Sequence, residues 1–407
     1  MEKLHGVLMY QVVIIGAGPV GGRLATELSS RGISTLMIEE HSEIGRPFQC
    51  AGLVNPPAMQ AVNLQDTILQ DINGALMHSP SGIQVPVGND EVIRTHVVCR
   101  KKFDQGVVRQ AMEAGSHLWL KSKPVDAEIT NENVNLTVNH DGEIVNLKCQ
   151  LLVGADGAHS WTRRKFRMGR PKEMMIGFQA DVQGLEGKDN WLEMYTGRNI
   201  APGFFAWVIP TGDSTHRIGI WSKAELLDGK SMEQCYDSLI THELWKDRFA
   251  NVKEISRYCG PVPCGLIRKP FKDRVMVIGD AAGMAKPTTG GGIGPGFRQV
   301  EAIIEKLSKC ILEDKLKSSN LAKVCKPYKS LSKDLDRARA LRDLLVTIPD
   351  DEELDSHFAM FNRPEILELI NEIGDIEHPV PLGLALLKRV PEFRKLALRA
   401  GVKLLFA

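Results

Sequence analysis

Apolar residues follow different periodicities in different parts of this chain. Tyr10–Ile15 is an apolar run interrupted only by Gln11, which is typical of a parallel strand that is covered on both faces. Two later segments have the same character, 151–154 and 275–278. The middle of the chain, at 76–94 and 170–270, mixes short alternating segments with turns, and apolar residues recur at helical spacing after about residue 330. The pattern predicts an α/β protein, α+β overall, with an inserted antiparallel sheet and a helical C-terminal region.

The first apolar run leads into a glycine-rich turn and a helix. Gly16, Gly18 and Gly21 form a GxGxxG motif that includes Pro19. These glycines allow a tight turn, close approach of backbone to a pyrophosphate, and close packing of helix on strand. The helix N terminus then presents free N–H groups to the phosphates. Glu39 ends the next strand, eighteen residues after Gly21, where a carboxylate can accept from ribose hydroxyls. The spacing predicts a bound dinucleotide without separating FAD from NAD.

Two later segments distinguish between FAD and NAD as the predicted cofactor. Residues 151–164 (LLVGADGAHSWTRR) end a strand in Ala-Asp-Gly, and residues 273–296 (DRVMVIGDAAGMAKPTTGGGIGPG) end one in Gly-Asp before a proline and a run of glycines. With these motifs and RKKFD at 100–104, the chain resembles the flavoprotein monooxygenase and reductase superfamily with the glutathione-reductase-type FAD fold. The resemblance implies FAD as the cofactor and a Rossmann-type FAD-binding domain.

The same resemblance implies roles for individual residues. Asp280 binds the ribityl chain, Asp156 and Gly157 brace the nucleotide, and Arg100 lies near the FAD. The N–H groups of 290–292, at a helix start, face the pyrimidine edge of the flavin and stabilise negative charge on the reduced ring. The predicted FAD-binding residues are Gly16, Gly18, Pro19, Gly21, Glu39, Glu40, Arg46, Cys50, Ala51, Gly52, Arg100, Ala155, Asp156, Gly157, Gly279, Asp280, Pro287, Gly290, Gly291, Gly292 and Ile293.

A narrower resemblance lies in the sequence APGFFAWVIP. Pro202, Phe205, Trp207 and Pro210 fit the spacing Pro-x-x-Tyr-x-Trp-x-Phe-Pro of the geranylgeranyl reductase family, although Phe205 replaces Tyr and Ile209 replaces Phe. Alternation places Phe205, Trp207 and Ile209 on one face of a strand. Such a stripe is often only the core of a sheet. Beside a flavin, we interpret it as a wall of the substrate cavity.

A cysteine loop follows the first βαβ unit. The same family has a Cys-Gly-Gly or Cys-Gly-Glu-Gly element by the reactive ring, and this chain has Cys50-Ala51-Gly52. Each extended residue spans at most about 3.3–3.6 Å, so residues 40–50 can run from the ribose to the ring. We therefore expect the Cys50 thiol to face the flavin and Gly52 to give the substrate access to backbone. The alternative is a buried structural thiol in an ordinary loop.

The resemblance implies a reductase that saturates double bonds of geranylgeranyl chains in isoprenoid (archaeal ether) lipids or their diphosphate precursors, by hydride transfer from N5 of reduced flavin. An isolated alkene has no carbonyl to stabilise charge, so the protein must hold the bond within roughly 3–3.5 Å of the reacting atom and exclude water. We predict Cys50, Phe205 and Trp207 as catalytic residues. The proton source stays open between Cys50 and a bound water. The predicted substrate-contacting residues are Phe204, Phe205, Trp207 and Ile209.

Composition limits the partners. The formal net charge is +1, which gives no field to attract nucleic acid. The eight cysteines include no CxxC pair, so no metal site is predicted. With no signal peptide and no apolar run of about eighteen residues, we expect a cytoplasmic protein. The electron donor is left open among ferredoxin, NAD(P)H and deazaflavin.

A basic segment near the C terminus mixes Leu and Phe with cationic residues. A basic amphipathic helix can lie on an anionic bilayer, so peripheral membrane contact is one expectation. A helix packed on the body with a solvated basic face is the other. The cationic residues are Lys388, Arg389, Arg394, Lys395, Arg399 and Lys403.

Three rival functions remain. A flavin-dependent halogenase has Trp-x-Trp-x-Ile-Pro, which differs from residues 205–210 by one aromatic residue, but the Cys50 loop argues against it. An aromatic hydroxylase using NADPH and oxygen is the second, and a carrier of electrons to quinone is the third. The predicted domains are FAD-binding at 1–75, 95–168 and 270–335, substrate-binding at 76–94 and 169–269, and helical at 336–407.

Overall fold

The chain alternates strands and helices over most of its length and ends in a run of helices. The computed structural model describes residues 2–4, 7–47, 50–348, 350–374 and 379–399. The strands are β1 (Glu2–Leu4), β2 (Val7–Ile15), β3 (Thr35–Ile38), β4 (Leu53–Val54), β5 (Ile68–Ile72), β6 (Gly74–His78), β7 (Gln84–Gly88), β8 (Thr95–Val98), β9 (His117–Trp119), β10 (Ser122–Ile129), β11 (Val134–His140), β12 (Glu143–Gly154), β13 (Glu173–Gln183), β14 (Trp191–Tyr195), β15 (Ala206–Pro210), β16 (Thr215–Lys223), β17 (Lys253–Cys264), β18 (Phe271–Lys272) and β19 (Val275–Val277). The helices are α1 (Pro19–Ser29), α2 (Pro56–Val62), α3 (Arg100–Glu113), α4 (Trp161–Lys165), α5 (Met232–Ile240), α6 (Lys246–Phe249), α7 (Ile293–Leu312), α8 (Ser318–Val324), α9 (Tyr328–Leu345), α10 (Asp351–Phe361), α11 (Pro364–Ile373), α12 (Pro379–Arg389) and α13 (Pro391–Arg399).

A parallel sheet forms the first layer, with the order β19-β12-β2-β3-β9. The predicted apolar run lies at its centre, where Val12, Val13 and Ile14 are fully buried. Helix α1 packs against α3 and α7. The first part of β12 also pairs with β11, which in turn pairs with β10, and both pairings are antiparallel. This layer confirms the Rossmann-type prediction.

A seven-stranded sheet forms the second layer, with the order β17-β13-β16-β15-β14-β6-β7. Its strands come from Gly74–Gly88 and Glu173–Cys264, which are separated along the chain by β8 to β12. One face carries Phe178, Ala180 and Ile218 into a core shared with α5 and α6. The opposite face therefore carries the residues at alternate positions. A small sheet, β4-β8-β5, packs beside it.

The C-terminal helices form a third unit. Leu341 of α9, Leu386 of α12 and Phe393 of α13 share one apolar cluster with α11, so the apolar face of this segment is packed on the protein. Its basic side chains Lys388, Arg389, Arg394 and Lys395 are exposed. Lys403 and the side chain of Arg399 lie outside the described residues. This arrangement favours the packed alternative, and membrane contact stays a prediction. Within the described ranges, no helix has the length and apolar character that crossing a bilayer requires.

Candidate active site

The GxGxxG turn joins β2 to α1. Gly16 has a φ of +98°, and a Cβ atom there would lie 2.5 Å from the carbonyl oxygen of Ala155. A Cβ atom at Gly21 would lie 2.2 Å from the Gly16 carbonyl oxygen. At Gly18, by contrast, a Cβ atom would meet nothing within 4 Å. Gly16 and Gly21 are therefore required by the fold, whereas Gly18 leaves space at the start of α1, which begins at Pro19. That space fits a pyrophosphate.

Glu39 lies at the end of β3, beside this turn. Its carboxylate accepts the Ala17 N–H at 3.1 Å, and it is 2.6 Å from Nδ1 of His41. A carboxylate has about four lone-pair sites, so capacity remains for ribose hydroxyls. Glu40 points to solvent and pairs with Lys123 at 3.2 Å. Arg46 is exposed.

Asp156 follows β12. It accepts the Ser160 hydroxyl at 2.6 Å and both the N–H and hydroxyl of Thr162, at 2.9 and 3.0 Å. Burial raises the pKa of Asp156. The carboxylate thus orders the turn from Ala155 through Gly157 into α4. Since Ala155 contacts Gly16, this segment supports the dinucleotide turn through protein contacts.

Asp280 lies in a 3₁₀ turn after β19, Gly279–Ala282. Its Oδ1 is 2.6 Å from the place a Cβ atom would take at Gly292, so the carboxylate lies against the start of α7. Burial raises the pKa of Asp280 to about 6, and the nearby Arg100 opposes that rise. Across the described residues, no donor is hydrogen-bonded to this carboxylate, and the buried hydroxyl of Thr289 has no partner either. Both are suited to the hydroxyls and polar edge of FAD.

Arg100 connects Asp280 to the cysteine loop. Its Nε and Nη2 donate to the two oxygens of Asp104 at 3.1 and 2.9 Å. Burial disfavours its charge, but Asp104 and the thiol of Cys50 outweigh this effect, so the pKa of Arg100 is raised. Cys50 and Asp280 therefore both lie near Arg100, and the place of Arg100 beside FAD stays a prediction. The Cys50 sulfur also accepts the Gly52 N–H at 3.4 Å.

Position 52 must be glycine because of Arg217, a residue whose role the sequence did not indicate. Gly52 has a φ of +77°, and a Cβ atom there would lie 2.2 Å from Nη1 of Arg217. Arg217 donates to the Ala51 carbonyl at 2.8 Å and to that of Val98 at 3.3 Å. The guanidinium group thus fixes the cysteine loop on β16. Substrate access at Gly52 stays a prediction.

The face of the seven-stranded sheet opposite α5 carries Trp207. In register across the strands, Trp207 is opposite Gly219, Gly219 is opposite Gln179, and Gln179 is opposite Tyr258. A Cβ atom at Gly219 would lie 2.1 Å from the indole of Trp207, so this ring lies across the glycine. The indole N–H is buried without a partner among the described residues.

The other residues predicted to contact substrate differ in exposure. Phe205 is partly buried with its ring centroid 5.8 Å from that of Trp221, and it lies on the predicted face with Trp207. Ile209 is only 1% exposed and packs with Ala51, and Phe204 is also 1% exposed. Phe205 and Trp207 are therefore partly exposed, whereas Phe204 and Ile209 are covered by other residues.

Two loops meet this sheet face at opposite ends. A Cβ atom at Gly290 would lie 3.3 Å from the Trp221 ring, and Arg217 holds the cysteine loop. Trp221 and Arg217 are four residues apart on β16, which corresponds to about 13 Å. At Gly177, which is opposite Trp221 in register, a Cβ atom would lie 3.5 Å from Val262 and 3.8 Å from the Gly260 carbonyl oxygen. This sheet face therefore combines glycine positions with aromatic rings, between the segments predicted to border the flavin. We call it the glycine groove.

A charge cluster secures the glycine-rich loop from the C-terminal unit. Arg342 of α9 donates to the Pro287 carbonyl at 2.9 Å and lies 4.9 Å over the Phe204 ring. It also pairs with Glu173 at 2.9 Å, and Lys223 and Arg339 contact the same carboxylate. Burial alone would raise the pKa of Glu173, but these cations lower it to about 2.

Sequence reasoning missed four residues of this site, Gln179, Arg217, Tyr258 and Arg342. One signal was available for Arg217. In RIGIW at 217–221, Arg, Gly and Trp alternate with two isoleucines, which indicates a second functional face. The positions of the other three follow from pairing between distant segments, which alternation alone does not reveal.

Comparison with known proteins agrees with this geometry. A family profile described as an FAD binding domain matches residues 9–318. Digeranylgeranylglycerophospholipid reductase from Methanocaldococcus jannaschii is 33% identical over 304 residues, covering 72% of this chain and 75% of that protein. The chain belongs to the geranylgeranyl reductase family. It is an FAD-dependent oxidoreductase, and the predicted fold class, cofactor and family are confirmed.

Further geranylgeranyl reductase relatives extend the match. The digeranylgeranylglycerophospholipid reductase of Methanococcus vannielii is 29% identical over 398 residues, covering 95% of this chain and 97% of that protein. A geranylgeranyl bacteriochlorophyll reductase-like structure from Thermoplasma acidophilum has a TM-score of 0.86 at 21% identity, covering 97% of this chain and 100% of that one. The flavin-dependent brominase Bmp2 has a TM-score of 0.72 at 20% identity, covering 95% and 100%. These two structures show the fold alone.

Proposed function

We propose that this protein reduces carbon–carbon double bonds in the geranylgeranyl chains of isoprenoid lipids or their diphosphate precursors. The glycine groove carries the proposal, because it offers an extended chain an apolar path between the Cys50 loop and the Gly290 loop. The names of the relatives support the substrate class. When bound, reduced FAD supplies a hydride to one alkene carbon.

The residues of this chain position the double bond of the substrate and exclude water from it. Trp207 and Phe205 form one wall, and the Gly177 backbone forms the floor, so a flat alkene can lie close to the sheet. Charged groups near the groove, Arg100 and Arg217, are directed at Asp104 and at backbone carbonyls. A groove of this kind favours a fixed orientation of the double bond.

The test is product analysis. The purified protein is loaded with FAD, reduced chemically without oxygen, and mixed with a digeranylgeranyl lipid or with geranylgeranyl diphosphate. We expect mass spectrometry to show a gain of one hydrogen pair per reduced bond. The protein would instead be a halogenase if the lipid stayed unchanged and a halogenated aromatic product formed in the presence of halide and oxygen.

We propose that Cys50 acts in turnover and not in FAD binding. Its thiol lies beside Arg100, which is close to Asp280. Cys50→Ala and Cys50→Ser should retain FAD and lose most alkene reduction, whereas Cys310→Ser on α7 should retain both. Flavin content and product are measured separately. Full activity of the alanine variant would remove Cys50 from the mechanism.

The electron donor is proposed to be external. The GGGIGPG run resembles a second dinucleotide motif, but it opens α7 directly against Asp280, without a βαβ unit of its own. Anaerobic titration with NAD(P)H, reduced ferredoxin and reduced deazaflavin identifies the donor class by flavin bleaching. Failure of all three donors to bleach the flavin would contradict an external donor of these classes.

A further inference from the structure

The family motif has a tyrosine where this chain has Phe205, so the expected phenol is missing from one wall of the glycine groove. Tyr258 supplies a phenol from another strand. It lies on β17, on the same sheet face as Trp207, because the register links the two residues through Gly219 and Gln179. The chain thus lacks a hydroxyl at one position of the cavity and has one at another.

The Tyr258 side chain is directed along its own strand. A Cβ atom at Gly260 would lie 1.9 Å from the Tyr258 hydroxyl oxygen, so the hydroxyl lies directly over this glycine. Gly260 is opposite Gly177 of the glycine groove. Tyr258 is partly exposed, and its hydroxyl makes no hydrogen bond to another described residue. The phenol is therefore available to a molecule that occupies the groove.

The surroundings keep this phenol protonated. Burial raises the pKa of Tyr258, and the thiols of Cys259 and Cys50 raise it further. The influence of Cys50 also places the hydroxyl within electrostatic range of the cysteine loop. The hydroxyl itself lies over Gly260, beside Gly177.

We propose that the Tyr258 hydroxyl donates the proton that completes reduction of the double bond. This inference rests on the proposed function. One alkene carbon gains the hydride that reduced FAD donates, the other gains the phenol proton, and the π bond is replaced by two C–H bonds. The Tyr258 O–H bond breaks in this step, and the phenolate regains a proton from solvent. The lipid is reduced and FAD is oxidised.

The experiment is an anaerobic single turnover. Chemically reduced, FAD-loaded protein is mixed with a digeranylgeranyl lipid, and reoxidation of the flavin is followed by absorbance. A positioned general acid contributes about 10²–10⁴-fold, so Tyr258→Phe should slow reoxidation by a factor in that range. Tyr236→Phe is the matched control, because this tyrosine of α5 lies in the core on the other sheet face. It should react at the parent rate.

Two further variants separate chemistry from structure. Gly260→Ala keeps the phenol but displaces its oxygen, so it should slow reoxidation as well. Adding Phe205→Tyr to the Tyr258→Phe variant returns a phenol to the groove and should recover at least tenfold. FAD affinity, measured by fluorescence titration of apoprotein, should stay within threefold of the parent in every variant.

A readout without FAD tests the position of the phenol. The ultraviolet difference between parent and Tyr258→Phe apoproteins should show a tyrosinate that forms above the pH typical of free tyrosine.

The outcomes are decisive. Slow reoxidation with retained FAD affinity and rescue by Phe205→Tyr supports Tyr258 as the proton donor. A Tyr258→Phe variant that reoxidises within threefold of the parent overturns it, and so does a loss that follows FAD affinity and is not rescued. If the parent itself leaves the lipid unreduced while binding FAD, the proposed function fails, and the inference fails with it.

Discussion

A substitution at Glu173 tests both the stability of the protein and its binding of FAD. The Glu173 side chain is 12% exposed and pairs with Lys223, Arg339 and Arg342. These partners lower its pKa from 4.5 to about 2. A difference of roughly 2.5 pKa units corresponds to about 3 kcal/mol of stability at neutral pH. We therefore expect Glu173→Gln to lower the free energy of unfolding by about 3 kcal/mol at about pH 7.

The sign of the pH dependence follows from the direction of the shift. Because folding lowers the pKa, the ionised carboxylate stabilises the protein above about pH 4.5, and this stabilisation is lost as the pH falls towards about 2. The glutamine variant lacks it at every pH. The two unfolding free energies should therefore converge as the pH falls.

The assay is urea unfolding of both apoproteins at several pH values. Glu305→Gln is the control, because it removes the same charge from an ion pair with Arg31 in which the glutamate side chain is 81% exposed. Such surface pairs are worth about 0–1 kcal/mol. A Glu173→Gln difference that is as small as the control, or that stays constant down to about pH 3, would refute the reasoning. The variant should also bind FAD more weakly, since Arg342 would hold the Pro287 carbonyl less firmly.

Three further predictions concern glycines and the buried aspartate. Gly18→Ala should leave apoprotein stability unchanged but weaken FAD binding at least tenfold. Gly21→Ala should lower the melting temperature, because its methyl group would lie 2.2 Å from a backbone oxygen. Thermal melts and FAD titration distinguish the two effects. Asp280→Asn should raise apoprotein stability above about pH 6, because burial raises the pKa of Asp280 to about 6 in the folded state. The variant should lose this advantage as the pH falls to about 4, which urea unfolding across this pH range measures. Its FAD affinity should also fall. Gly219→Ala should displace Trp207 and slow alkene reduction while FAD content, read from absorbance, is retained.

The cofactor half of the site could be predicted because its signals are local. Gly16, Gly21 and the acids that end strands are fixed by steric and hydrogen-bonding demands within a few residues. The carboxyl ends of parallel strands meet at one edge of a sheet, so three distant segments converge without any knowledge of register. The contact of Gly16 with Ala155 follows from that rule, whereas Arg100 reaches Asp280 from α3, which follows the antiparallel strand β8.

The substrate half could be predicted only in part. Alternation correctly placed Phe205 and Trp207 on one face, but it does not show which residues of other strands stand beside them. Gln179 and Tyr258 reach Trp207 only through antiparallel pairing across four strands. Phe204 was expected to touch substrate, yet Arg342 from a C-terminal helix covers its ring.

The glycines of the groove floor differ in what an added methyl group would meet. At Gly219 and Gly260 it would strike an aromatic ring, whereas at Gly177 the nearest neighbour would be 3.5 Å away. Position 177 is therefore a place where groove depth can be changed with the least disturbance of the neighbouring rings. Replacing this glycine by alanine and then by valine would make the groove progressively shallower. Such variants would select thin, flexible prenyl chains over bulkier branched ones without moving Trp207 or Tyr258.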